Sequence, residues 1–344
     1  MQTITTIGLD LAKSVFQIHA INQAGKVLVR RTLRRSQLLD FFRKQPPCLV
    51  GLEACASAHF WAREIAALGH DVRMIPPVYV KAYVKRSKTD AADAEAICEA
   101  VTRPTMRFVQ IKTAEQQASG MVLKTRDLLV RQRTQAANAL RAHMSELGII
   151  VAAGMTAVRK LALMLRDPEI QGIPSVARSA LLELVEQIDM LTERIERLDD
   201  DIRVSVKRDE TARRLTSIPG VGPLIAATIR TVVHDVRNFR SGRDLAAWIG
   251  LTPRAHSSGG KERLGGISKQ GNRQLRTLLI VGATSIIKQA KRGVKLPEWL
   301  VGLMARKPYK LVAVALANKM AHIIWALLAK GGEYKRTTLP IAAV

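Results

Sequence analysis

The segment KTDAADAEAI, residues 88 to 97, sets Asp90 and Asp93 three positions apart in an alanine-rich run with strong helical propensity. Carboxylates at that spacing share a helix face and repel each other unless a cation lies between them. A solvated helix face is the ordinary home of such a pair; a metal site is the alternative that gives it chemistry. Two more carboxylates, Asp10 in GLDLAK and Glu53 in GLEA, close short apolar runs. Four such groups at one point are strongly disfavoured as bare anions, and Mg2+, which takes hard oxygen ligands, relieves the repulsion. Two such ions close together align an attacking and a leaving oxygen for phosphodiester cleavage or transfer. Singly, each acid reads better as a cap or a surface charge, and only their joint placement carries the metal reading.

A second constellation lies in HSSGGKERLGGISKQGNRQLR, residues 256 to 276. Ser257 and Ser258 precede two glycines, and a flexible loop lets a hydroxyl approach a phosphate closely. Most Ser-Gly loops are only loops. This one sits among Lys261, Arg263, Lys269, Arg273 and Arg276, which could hold that phosphate. No His/Asp relay is evident, because His256 is as well explained as a solvated loop residue.

These residues need elements to position them. TITTIGLDLA, SVFQIHAI and VLVRRTL alternate apolar and polar residues around the turn NQAGK, so residues 3 to 33 read as a three-stranded meander. SQLLDFFRKQ reads as a helix, CLVGLEA as a short buried strand, AHFWAREIAALGH as an amphipathic helix stopped by Gly69, and DVRMIPP as a strand stopped by proline. Asp10 and Glu53 then end neighbouring strands and emerge at one sheet edge, with Asp90 and Asp93 arriving from a later helix. The order β-β-β-α-β-α-β-α matches the arrangement of an α/β ribonuclease H-like domain, expected here over residues 1 to 110, although periodicity alone suits any α/β fold.

From Thr113 to about Val206 the strand signals vanish. Leu181, Leu184, Ile188, Leu191, Ile195, Leu198 and Ile202 follow a heptad seam, which predicts a coiled-coil or helical arm over residues 111 to 206. The stripe suits an intramolecular hairpin with LLVRQRTQAANALRAHMSEL as well as a dimer seam. A mostly α-helical domain is expected over 207 to 330, and a flexible tail over 331 to 344. Within that domain LTSIPGVGPLIAATI places Gly220 and Gly222 in a tight turn between apolar helical stretches, the form of a helix-hairpin-helix, which presents backbone N-H groups to phosphate without reading sequence.

Lys and Arg outnumber Asp and Glu by 54 to 29, a net charge of +25 that calls for a polyanionic partner. Between Arg254 and Lys310 there are 13 Lys or Arg against Glu262 and Glu298, so the polyanion is placed there first. An anionic membrane surface is the weaker candidate. The first residues lack the pattern of a signal peptide, and the spanning-length run from Leu311 to Ala329 carries Asn318, Lys319 and His322, which reads as a buried or DNA-flanking helix. Cys48, Cys55 and Cys98 fit no ligand or disulfide spacing. These features indicate a reducing, cytoplasmic protein, nucleoid-associated when bound to DNA.

GLDLAK, GLEA, KTDAADA, IPGVGPLIA and LTPRAHSSGGKERLGGISKQGNRQLR, in this order, together resemble the DEDD recombinases of insertion-sequence family 110, and the resemblance extends to about residue 330. It implies a fold similar to the Holliday-junction resolvase RuvC, with Mg2+ bound by Asp10, Glu53, Asp90 and Asp93. It implies a serine nucleophile that precedes a glycine, matching Ser258 with Ser257 second, and a covalent phosphoserine with DNA completed by the metal-bound domain of another protomer. It also implies double-stranded donor and target DNA as substrates, a guide (bridge) RNA that pairs with both, and a homo-oligomer, dimer or tetramer. The reading is thus an RNA-guided DNA recombinase, the transposase of a bacterial insertion sequence. Its competitors are a metal-dependent, resolvase-like nuclease that uses water and a non-catalytic nucleic-acid-binding protein.

Overall fold

The computed structural model describes residues 3–85, 89–233, 235–261, 263–290 and 296–334. The chain divides into two compact units, Met1–Ala118 and Ser119–Val344.

The first unit is built on a five-stranded sheet. Strands β1 (Thr6–Leu11), β2 (Val15–Ile21) and β3 (Val27–Arg34) form the antiparallel meander. After helix α1 (Leu38–Arg43), β4 (Leu49–Glu53) joins β1 in parallel; after α2 (Ala58–Ala67), β5 (Asp71–Ile75) joins β4 in parallel. The strand order is therefore β3-β2-β1-β4-β5, with β3 at one edge. Alternation decides which face is which: Ile7, Leu9, Phe16, Ile18 and Leu33 are buried on the side that receives α1 and α2. Burial of each such side chain contributes about 1.5–3 kcal/mol. After the short α3 (Pro77–Val80), α4 (Asp90–Val101) lies on the opposite face.

The second unit is mostly helical. Helix α5 (Ala114–Glu146) runs out, α6 (Met155–Arg166) turns at the tip, and α7 (Ser175–Arg208) returns. Arg126 donates to Asp199 and Arg133 to the Thr192 hydroxyl, which sets an antiparallel register, and Ala137, Leu140, Val185 and Ile188 lie in one buried cluster. The heptad stripe is thus buried inside one chain, against α5 and α6 over its first half. The buried set differs from the expected seam at two positions: Val185 is buried while Leu184 is only half-buried, and Leu198 is half-buried too.

Helices α8 (Glu210–Leu215), α9 (Pro223–Val232), α10 (Gly242–Ile249), α11 (Arg273–Ala290), α12 (Glu298–Arg306) and α13 (Tyr309–Lys330) share one apolar core, and β6 (Pro253–Ala255) pairs with β7 (Leu264–Ile267) as a small antiparallel ribbon. Helix α13 is long and apolar enough to cross a membrane, but Val312, Ala313, Leu316, Ala317, Met320, Ala321 and Ile324 are buried in this core. Two of its polar side chains bond there: Asn318 donates to the Leu251 carbonyl and Trp325 to the Phe239 carbonyl. At the start of the segment expected as a flexible tail, the Tyr334 N-H donates to Ser217 Oγ and its ring packs on the core; residues 335–344 lie outside the described residues. Glu262 also lies outside them.

Candidate active site

The seating of α4 on the sheet brings Asp90, Asp93 and Glu53 within electrostatic reach of Asp10. Gly8 of β1 and Gly51 of β4 are register partners. A Cβ on Gly8 would collide with the Ala94 carbonyl oxygen and stand 2.7 Å from Cys98 Cβ, and one on Gly51 would stand 2.9 Å from Val101 Cβ. The two bare backbones therefore let α4 lie directly on the strands. Asp10 and Glu53 each follow their glycine by two residues, so both emerge on the same face, at the strand ends. Helix α4 begins at Asp90, capped by the Thr89 hydroxyl, which accepts from the Ala92 N-H at 3.2 Å. That start puts Asp90 and Asp93 in its first turn, where the helix dipole favours anions.

The electrostatics record the convergence. The Asp10 carboxyl is pushed up to about 6, first by burial, then by the charges of Asp93, Asp90 and Glu53. Among the described residues, no three acidic, histidine or cysteine side chains stand close enough to enclose an ion as placed. The donor set nevertheless fits Mg2+, being all carboxylate oxygen with mutual repulsion that a hard cation would relieve. Beneath α4, His19 sits opposite Gly8 in register and is buried. Burial lowers the imidazole's proton affinity, with Glu95 opposing the effect.

The serine segment is more ordered than a flexible loop. The Lys261 N-H donates to the Ser258 carbonyl at 3.1 Å, and Gly259 and Gly260, at φ +57° and +74°, fill the two central positions. Two successive positive φ values are the signature of the type I′ hairpin turn, which explains the glycine pair. Ser258 thus occupies the first corner of a hairpin tip, with open space around both glycines. Ser257 differs, because its hydroxyl accepts from the Arg263 N-H at 3.3 Å. Among the described residues the Ser258 hydroxyl has no hydrogen-bond partner.

Lys261, Arg263, Lys269 and Arg273 are exposed. Arg276 is placed otherwise than expected: it is buried, and its guanidinium donates to the Ile249 and Gln270 carbonyls, both at 2.7 Å. Those bonds tie the end of α10 to the segment before α11 and leave it no surface to offer a phosphate. The two glycines of the 216–222 turn also part company. Gly220, at φ +78°, packs against Gly282 of α11, so its backbone serves a helix contact. Gly222 caps the start of α9 with nothing near its Cα face.

Comparison with known proteins bears on both constellations. A family profile described as transposase, the DEDD transposase of IS110, matches residues 7–149, and one described as the transposase IS116/IS110/IS902 family matches residues 212–296. The chain is 47% identical over 334 residues to a probable family 20 transposase of Pseudomonas aeruginosa, covering 96% of this chain and 99% of that protein. It is 40% identical over 337 residues to the transposase for insertion sequence element IS1328 of Yersinia enterocolitica, covering 98% and 100%. It is 40% identical over 336 residues to the transposase for insertion sequence element IS1111A of Coxiella burnetii, covering 97% and 92%. One profile spans the four carboxylates, the other the serine hairpin, and full-length relatives join them in one chain: the protein belongs to the IS110 family of transposases.

Proposed function

We propose that this transposase carries out RNA-guided DNA strand cleavage and exchange with Ser258 as its nucleophile and the Asp10, Glu53, Asp90 and Asp93 carboxylates as its Mg2+ ligands. The observation that carries the reading is geometric: Asp10 and Glu53 follow the register partners Gly8 and Gly51 by two residues on the face where α4, which starts at Asp90, lies against those glycines. Mg2+ held by these four groups would supply Lewis-acid stabilisation of charge at a phosphate.

The chain's own residues do the rest. Ser258 Oγ forms a bond to phosphorus while a DNA oxygen leaves, so one ester replaces another, and attack by a second strand's hydroxyl reverses the exchange. The free hydroxyl at an open hairpin tip supports Ser258 over Ser257, whose oxygen is engaged with Arg263. Exposed Lys261, Arg263, Lys269 and Arg273 suit backbone phosphates, as does the open start of α9 at Gly222 in a helix-hairpin-helix role. Guide RNA then supplies sequence choice by pairing, as the family resemblance implies.

Trapping on denaturing gels tests the nucleophile. Wild type and Ser257→Ala are expected to yield a protein-DNA adduct, and Ser258→Ala none. An adduct from Ser258→Ala but not from Ser257→Ala reverses the assignment. Metal-dependent cleavage with no adduct from any of the three proteins means that water attacks, as in a resolvase-like nuclease. Co-purification of a structured RNA, with recombination lost after ribonuclease treatment, tests the guide.

A further inference from the structure

We infer that the uncovered edge strand β3 is a phosphate rail, seating the backbone of the DNA strand that the carboxylate centre acts on; this rests on the function proposed above. Register is the basis. Across the meander Asp10 pairs with Gln17 and Gln17 with Thr32, while Gly8 pairs with His19 and His19 with Arg30. Register partners point to one side of a sheet, so Arg30, Thr32 and Arg34 lie on the same face as Asp10. At about 4.8 Å per strand, Thr32 is on the order of 10 Å from Asp10, close to one or two nucleotide spacings. Gln17 and Thr32 are joined by a hydrogen bond of 2.8 Å, a neutral row between the acids and the arginines.

The edge is also shaped to receive something. Helix α4 covers β1, β4 and β2 but leaves Arg30, Thr32 and Arg34 exposed. Beside Arg34, an open cleft of about 570 Å3 is lined by Ser14, Val15, Arg34, Arg35 and Ser36 at the strand ends that bear Asp10. Arg35 is fixed in place: its guanidinium lies 4.9 Å from the Trp61 ring centre and donates to the Lys13 carbonyl at 3.3 Å. Among the described residues, no carboxylate pairs with Lys13, Arg30, Arg34 or Arg35. Cations with no carboxylate in ion-pair contact, Arg30 alone sharing the field of Glu95, two of them facing the acid centre and one pre-positioned, fit a phosphodiester backbone.

The strand carries its own control. Arg31 is exposed on the same edge but pairs with Ile18, on the opposite face. Binding of the full chain to a labelled DNA duplex is measured with divalent ions chelated, across a salt series, beside a labelled RNA of equal length. Arg30→Gln with Arg34→Gln is expected to weaken DNA binding about tenfold and to flatten the log K against log salt slope by about 2, with the melting temperature unchanged. Arg31→Gln is expected to do neither. Wild-type affinity and slope in the double variant, an equal loss from Arg31→Gln, or a loss confined to RNA each overturns the rail. Because no cleavage is read, a wild type that binds but never cleaves counts against the proposed function alone.

Discussion

Gly8 and Gly51 stand opposite one another on adjacent parallel strands, and α4 fills the space that a methyl group on either would need. That contact sets the height at which Asp90 and Asp93 arrive over Asp10 and Glu53. Gly8→Ala is expected to destabilise the protein by ~3 kcal/mol, since the obstacle is backbone carbonyl rather than a movable side-chain end. Thermal unfolding checks this. Gly51→Ala, which meets Val101 and Ile97 side chains, should cost less.

The Asp10 carboxyl gives a pH signature. Its folded value of about 6 lies above the ordinary 3.8, so the folded state holds the proton more tightly than the unfolded chain. The resulting stability is fully present below about pH 4 and is lost as pH rises through about 6, in protein stripped of divalent ions. Asp93→Asn should lower the Asp10 value without restoring 3.8, because burial, the largest cause, remains. Carboxyl NMR titration reads both, and an unmoved Asp10 would separate it from Asp93.

Arg273 and Arg276 differ by one helical turn and should respond in opposite ways. Arg276→Ala leaves the Ile249 and Gln270 carbonyls without their donor and is expected to cost about 1–3 kcal/mol. Arg273→Ala should leave stability unchanged and weaken nucleic-acid binding. Chemical unfolding beside a binding isotherm separates them.

Ile188 lies in the buried stripe of α7, packed with Ala137 and Leu140 of its own chain. Ile188→Asp is expected to lower stability by about 3–5 kcal/mol, the cost of an unpaired buried charge. A dissociated but equally stable protein, by light scattering and thermal melts, would instead make the stripe a surface between copies.

Much of this architecture is legible in the residues. Period-two alternation places Asp10 and Glu53 at strand ends, and alanine content announces α4, whose Thr89 cap is seen only in the structure. What packs against what is less legible. A heptad stripe has the same pattern whether its partner is α5 or another chain, so Ile188 alone does not say which. Gly8 reads as a weak spot in a strand until Ala94 is seen against it. The Gly259-Gly260 pair did carry a readable hairpin signal, masked by the polar residues around it. Arg276 hides best, since its neighbours in sequence are cations while its neighbours in space are carbonyls.

The arm formed by α5 and α7 behaves as a ruler with two scales. Because the antiparallel register is fixed by Arg126 with Asp199 and Arg133 with Thr192, length can be changed only in matched steps. Deleting seven residues from α5 alone would slide every later pair out of phase, whereas deleting seven from each helix shortens the arm by about 10 Å and keeps the seam. Arm length is therefore a separately adjustable dimension of the molecule, open to engineering by paired heptads without touching either the acids or the serine hairpin.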